Sequence, residues 1–180
     1  VGFRTTGSAT GGDVIQVTSN LGNGIKLAGG LENLGGSDAT AIGVVSYAGD
    51  GITGHVSVAA DDATWKLHAG FTGTWDPISV VGAYSTDDTG YYDALGSLSA
   101  KFDMFTLAVS GEAATDGVGA GASVSAKVSD GVTVNLGGRF WNGTQDVYQV
   151  EAAVSAAVTE TITLTAAVGM TDSTIAPAAT

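Results

Sequence analysis

Residues 105–113 read FTLAVSGEA, and residues 132–140 read VTVNLGGRF. In the first, Phe105, Leu107, Val109 and Gly111 alternate with Thr106, Ala108, Ser110 and Glu112. In the second, Val132, Val134, Leu136, Gly138 and Phe140 alternate with Thr133, Asn135, Gly137 and Arg139. A period of two sends successive side chains to opposite faces of a strand, so each stretch has one apolar and one polar face. The same alternation recurs in TWKLHAGFTG (64–73) and TITLTAAVGM (161–170). No stretch sustains the i, i+3, i+4, i+7 spacing of an amphipathic helix.

Working outward from these stretches, the pattern predicts about twelve strands, at 13–20, 25–33, 39–48, 52–61, 64–73, 78–86, 93–102, 105–113, 119–128, 132–141, 147–158 and 161–170. Most run about 9–11 residues, the length a tilted strand needs to cross a bilayer, whereas strands of soluble domains average about five or six. Tight connections, LGNG (21–24), AGDG (48–51), TWDP (74–77), FDMF (102–105), SDG (129–131) and TET (159–161), alternate with a second set. That set is NLGGSD (33–38), DDA (61–63), TDDTGYYD (86–93), ATDGVG (114–119), NGTQD (142–146) and TDSTIAPAAT (171–180). It is generally longer and more polar, although DDA is as short as a turn. Alternation of short turns with longer loops is the habit of barrels that cross an outer membrane.

Composition supports that class. Charged residues are 13% of the 180, about half the usual share of a soluble domain, and mean hydropathy is positive. Apolar runs are broken by Gly, Ser or Thr within a few residues, far short of the roughly 20 that a membrane helix needs. There is no cysteine, so neither a disulfide framework nor a thiolate metal site is available. A net charge of −12 weighs against a nucleic-acid partner, because phosphate binding needs clustered Lys and Arg. The opening VGFRTTGSA has no leader pattern, and the chain is expected to begin inside a longer protein.

Alternation alone does not say which face meets solvent. Two features point to an apolar face turned to lipid. Aromatic residues gather near strand ends, with Trp65, Tyr84, Phe140 and Tyr148 toward the long-loop end and Phe71, Trp75, Phe102 and Phe105 toward the tight-turn end. Amphipathic rings prefer the headgroup level of a membrane. The polar face is made of Gly, Ala, Ser and Thr with scattered charges, not the Lys and Glu of a solvent-facing surface. The expected fold is therefore all-β, an antiparallel transmembrane β-barrel of meander topology, with residues 1–180 as a single domain.

The segment DVIQVTSNLGNGIKLAGGLENLGG (13–36), with SAKFDMFTLAVSGE (99–112) and SAKVSDGVTVNLGGRFWN (125–142), resembles hairpins of the porins of alphaproteobacteria, the Brucella and Rhizobium type. The resemblance is one of pattern over most of the chain. It implies a general diffusion pore for small hydrophilic solutes, usually a homotrimer, with sixteen strands in the full protein. It also implies residence in the bacterial outer membrane among lipid and lipopolysaccharide. Residues 1–12 would then be the tail of a constriction loop or of a preceding strand. Two features depart from the family: the long inward-folding loop is absent, and the chain ends in IAPAAT instead of a strand with a terminal aromatic. A partial chain and a smaller barrel are both consistent with this.

Candidate functional residues follow from the alternation. Lys26, Lys66, Lys101, Lys127 and Arg139 fall on the small polar face, as do Glu32, Glu112, Glu151, His55 and His68. These are the expected pore-lining residues, with Arg139 and Glu151 placed to pair and Lys26, Lys101 and Lys127 placed to form a basic arc near the tight turns. Fourteen of the eighteen acidic residues are Asp. Asp38, Asp61, Asp62, Asp87, Asp88, Asp93, Asp116 and Asp146 lie toward the long loops and would form an acidic mouth that concentrates cations, although Asp is also a common turn former. No metal site or cofactor is expected, since two histidines alone lack a convergent third ligand. No HExxH, GxSxG or P-loop occurs, and the glycines of GVGAG (117–121) have no following helix, so an enzyme is not expected.

The competing reading is a secreted or surface-attached β-rich structural protein or adhesin with dry Gly, Thr and Ala stacks. An outer-membrane barrel enzyme is a third, without a Ser/His/Asp cluster to support it. The first two separate on a gel. A membrane barrel requires detergent for solubility and changes its electrophoretic mobility on boiling; a soluble adhesin does neither.

Overall fold

The computed structural model describes residues 15–35, 39–143, 145–157 and 162–175, with backbone only for Gln145 and residues 173–175. Its strands are β1 (Ile15–Gly22), β2 (Ile25–Glu32), β3 (Thr40–Gly49), β4 (Ile52–Ala60), β5 (Trp65–Trp75), β6 (Ile78–Asp87), β7 (Tyr92–Phe102), β8 (Phe105–Ala114), β9 (Gly117–Ser129), β10 (Val132–Gly143), β11 (Gln145–Ala157) and β12 (Thr163–Ile175). They form one twelve-stranded sheet in sequence order, with every neighbouring pair antiparallel. There is no helix among the described residues, and β1 and β12 are not paired with each other.

Every strand lies where the alternation predicts it, and the differences are at ends. The expected loop 114–119 shrinks to Thr115–Asp116 because β9 begins at Gly117, and strand structure reaches into the expected loop 142–146 from both sides, with β10 running to Gly143 and β11 beginning at Gln145. Glycine and asparagine there read as turn formers, but cross-strand pairing of Gly117 with Gly143 and Gly119 with Trp141 holds them in the sheet. Similarly, β12 continues to Ile175 through residues that read as a terminal loop, since Asp172 and Thr171 pair with Tyr148 and Gln149.

One end of the sheet is closed by two-residue turns. Asn23 and Gly24 have φ of 50° and 79°, and Asp50 and Gly51 have 48° and 77°. Two consecutive left-handed residues give the turn whose twist matches a twisted antiparallel pair, which is why Asn-Gly and Asp-Gly occur there. Gly24 is constrained a second time, because a side chain on it would strike the backbone carbonyl of Ala48. The same carbonyl group of each turn recruits the next strand. Gly24, Gly51, Pro77, Met104 and Gly131 accept from the amides of Ala48, Thr74, Lys101, Lys127 and Ala157 at 2.7–2.9 Å. Each hairpin is thus stitched to its successor with a constant stagger.

Burial is inverted relative to a soluble protein. Among the described residues the only buried side chains are Ala114 and Ser57. Leu136, Val109 and Val168 are 51%, 52% and 70% exposed. On β3 the apolar-face residues Val45 and Tyr47 are exposed, while Ile42, Val44 and Ser46 on the other face are half-buried. The large exposed apolar side chains of the strands share one face, apart from Leu95. At about 25 cal/mol per Å² of apolar surface, such a face is strongly unfavourable in water and favourable in hydrocarbon. Leu136 sits on it between Val124 and Ala152. Leu136→Arg should therefore weaken folding into lipid bilayers by about 2–4 kcal/mol, measured by reversible denaturant unfolding in vesicles. A neutral result would place Leu136 away from hydrocarbon.

Candidate functional site

Directly paired residues of antiparallel strands point to the same side of the sheet, so the register assigns every strand residue to a face. From β1 to β6 one row runs Asn20, Lys26, Ser46, His55, Gly70, Ala83, and the row beside it runs Thr18, Ala28, Val44, Ser57, His68, Ser85. Further along, Leu95 pairs with Glu112, Lys101 with Thr106, Lys127 with Thr133, Gly121 with Arg139 and Gly137 with Glu151. The ten strand-borne residues Lys26, Glu32, His55, Lys66, His68, Lys101, Glu112, Lys127, Arg139 and Glu151 thereby occupy one face of one sheet. The opposite face carries no Lys, Arg, Glu or His among the described strand residues, and its only acids are Asp146 and Asp172 near the long-loop end.

The polar face is less uniformly small than expected. Ile42, Val44, Val81, Leu95 and Val147 lie on it, and so does Trp141, whose ring covers Gly117, Gly119 and Gly143. Those glycines are what lets an indole lie flat against the sheet. The first half of the face bounds a cavity of about 590 Å³, lined by Gln16, Lys26, Glu32, Ser46, His55 and His68 among others. A second cavity of about 470 Å³ is lined by Tyr91, Glu112, Asp116, Arg139 and Trp141.

Individual contacts revise two expectations. Arg139 does not pair with Glu151: its Nε donates to Gln149 Oε1 at 2.6 Å. The register explains this, because Gln149 is directly opposite Arg139 and Glu151 is opposite Gly137. The basic arc at the tight-turn end is also partly neutralised. Lys127 forms an ion pair with Asp130 at 3.3 Å, and the turn residues Asp50, Asp76 and Asp103 lie at the same end. Sequence reading passed over these turn aspartates because their residue type suits a turn whatever else it does.

At the other end, Asp38 lies outside the described residues. Asp61 and Asp62 form the β4–β5 connection with Ala63 and Thr64. Asp61 Oδ1 accepts from the amides of Ala63 at 2.9 Å and Thr64 at 2.7 Å, and the Thr64 hydroxyl donates to the same carboxylate. This explains how a connection as short as a turn can serve as a loop. Asp88 Oδ1 accepts from the Trp65 amide at 3.2 Å, and Asp146 Oδ1 accepts from Asn142 Nδ2 at 2.9 Å. Asp87 and Asp93 are strand residues of the polar face, opposite Lys66 and Ser85, and Asp93 Oδ1 is buried with no hydrogen-bond partner. Asp116 is in the β8–β9 connection. No group of three or more metal-ligating side chains converges among the described residues. His55 and His68 do meet, although 13 residues apart, with His55 Nε2 and His68 Nδ1 at 2.9 Å. The alternation already places them on one face of neighbouring strands, and the register brings them together.

No family model matches the chain, and no curated protein matches it. Solved porin structures match it in fold. Two are engineered variants of the porin of Rhodopseudomonas blastica, one with three substitutions and one with five. Each match covers 87% of this chain and 83% of that chain with a TM-score of 0.60, at 12% and 13% identity respectively. The likeness is one of fold: the chain is an all-β antiparallel sheet of the transmembrane β-barrel kind that porins use.

The hydrogen bonds to Asp61 hold its carboxyl below the ordinary aspartate range, those from the Ala63 and Thr64 amides contributing most. A folded-state pKa that is depressed contributes stability above the unfolded value, lost as pH falls through the folded one. Asp61 should thus titrate below a model aspartate in NMR of the folded protein. Ordering of the β4–β5 connection should be lost only in stronger acid, and Asp61→Asn should remove that pH dependence. A normal Asp61 midpoint would mean the three contacts are not made in solution.

Proposed function

We propose that this chain forms the wall of a porin-type channel through which small hydrophilic solutes and ions diffuse passively across the bacterial outer membrane. In this reading the apolar face meets lipid, with lipopolysaccharide around the outer rim, and the charged face lines water. The chain is not an enzyme, and it assembles as a homotrimer like the family it resembles. The observation that carries the reading is the complete sorting of strand-borne Lys, Arg, Glu and His onto one face and of nearly all large exposed apolar residues onto the other. A Lys or Arg on a lipid face near mid-membrane costs about 2–4 kcal/mol, so uniform placement on the opposite face is what a membrane barrel requires. An adhesin built on dry stacks would bury its Val, Leu and Ile, and here they are exposed.

Fixed charge sets the expected selectivity. Glu32, Asp61, Asp62, Asp87, Asp88, Asp93, Glu112 and Asp116 lie toward the long-loop end, where Lys66 and Arg139 are the basic residues. Such a mouth raises the local cation concentration over about 10 Å at 0.1 M salt. In planar bilayers under a salt gradient, the reversal potential should indicate cation preference at low salt, fading as ionic strength rises. Anion preference at low salt would mean that the basic wall residues outweigh the mouth. Correctly folded protein without conductance would leave a plugged or structural barrel.

A further inference from the structure

His55 on β4 and His68 on β5 are diagonal neighbours on the polar face, with His55 opposite Gly70 and His68 opposite Ser57. Gly70 leaves free the space beside His55, and the His55 ring occupies it: a Cβ on Gly70 would come within 2.9 Å of His55 Cε1. Buried Ser57 donates through Oγ to the His68 carbonyl at 3.3 Å, tying down the backbone that carries the second ring. The two imidazoles are stacked with centroids 5.0 Å apart and planes 22° apart, and His55 Nε2 faces His68 Nδ1 at 2.9 Å. The arrangement is held by a glycine, a buried serine and two paired strands.

We propose that His55 and His68 form a binding site for a divalent transition-metal ion of the Cu²⁺ or Ni²⁺ kind on the inner face of the sheet. Imidazole nitrogen suits these ions, and both favour tetragonal or octahedral geometry. Two nitrogens each about 2.0–2.1 Å from one ion at a right angle are about 2.8–3.0 Å apart, whereas a tetrahedral angle would need about 3.3 Å. The observed 2.9 Å is the separation of a cis pair. As a hydrogen bond, the pair uses one N–H and one lone pair. Moving the shared proton to the other nitrogen of whichever ring donates it presents two lone pairs to one ion and consumes no other reactant. Both rings line the 590 Å³ cavity, which gives solvent access to an ion held there; Glu32 and Lys26 line it too, one favouring and one opposing the ion's charge. The acidic loops attract cations as well, but carboxylate and carbonyl oxygen suit Mg²⁺ and Ca²⁺, so the choice of ion separates the two sites.

The test uses the full chain folded in detergent, with Ni²⁺ titrated by calorimetry and Cu²⁺ read by electron paramagnetic resonance. One ion per chain is expected, with nitrogen hyperfine splitting from Cu²⁺ and no competition from a hundredfold excess of Mg²⁺. His55→Asn and His68→Asn should each weaken binding at least tenfold, both variants keeping the boiling-dependent gel shift of the folded protein. Retention of wild-type affinity in the double variant would overturn the proposal, as would absence of binding to folded wild type at millimolar Ni²⁺. The consequence for permeation rests on the channel reading: Ni²⁺ should reduce the single-channel current reversibly, with EDTA restoring it. Binding without any conductance would count against the channel and leave the site standing; conductance without binding would do the reverse.

Discussion

Between Gln16 on β1 and Thr171 on β12, directly paired residues share a face from strand to strand without a change of parity. The two register shifts, at Asn20/Gly22 and Val132/Thr133, fall beside turns and leave the rows of charges intact. This parity is the constraint on which everything else depends. A slip of one residue on β10 would turn Arg139 toward the face of Leu136 and Phe140, and on β5 it would do the same to Lys66 and His68. In hydrocarbon each such basic residue would cost about 2–4 kcal/mol near mid-membrane. A water-soluble sheet with one face in solvent tolerates such an error far better, because a displaced lysine there still reaches water. A membrane would thus make register, not core packing, the quantity under strict control, which fits a sheet whose only buried side chains among the described residues are Ala114 and Ser57.

The turns are the device that enforces parity. A two-residue connection leaves no slack, and the left-handed pairs Asn23-Gly24 and Asp50-Gly51 admit one relative twist of the strands they join. The carbonyl bonds from each turn to the following strand then carry the register from one hairpin to the next. What the turns do not settle is the outer edge. Among the described residues β1 and β12 are the edge strands and are not paired with each other, and in hydrocarbon an edge requires partners at several kcal/mol per unsatisfied group. In a bilayer the two edges would have to bond to each other or to further strands.

Much of this was legible in the sequence because a strand with one apolar and one polar face obeys a period of two, and residues such as Ile42 and Leu95 that break it are few. The stretches 105–113 and 132–140 were enough to assign Glu112 and Arg139 to one face and Leu107 and Leu136 to the other. What was not legible came from two sources. At Gly117, Gly119 and Gly143 the local chemistry says turn, while Trp141 lying across them keeps the strands paired, a tertiary effect no local window contains. The contacts of Arg139 with Gln149 and of His55 with His68 depend on knowing which residues stand opposite one another. The expected loop 142–146 already sets Trp141 opposite Val147 and hence Arg139 opposite Gln149, but opposite charge on two residues flanking one loop pointed to Glu151 instead.

The aspartates divide by the same physical reasoning. Asp50 and Asp103 have φ of 48° and 49°, a region Asp tolerates better than most residues, so backbone conformation explains their identity. Asp61 likewise caps its own connection. These residues contribute charge at the two rims, but their presence is no argument for a function of that charge. Asp87 also caps its own connection at the end of β6, where its Oδ1 accepts from the Thr89 amide at 2.9 Å and from the Thr89 hydroxyl. Asp93 is different. It lies within β7, where aspartate is disfavoured, on the polar face opposite Ser85. Turn chemistry does not account for it, nor for Glu112 opposite Leu95. The case for a charged face therefore rests on a few strand-borne acids and bases of both signs, whereas the net negative charge of the chain lies mostly in the connections.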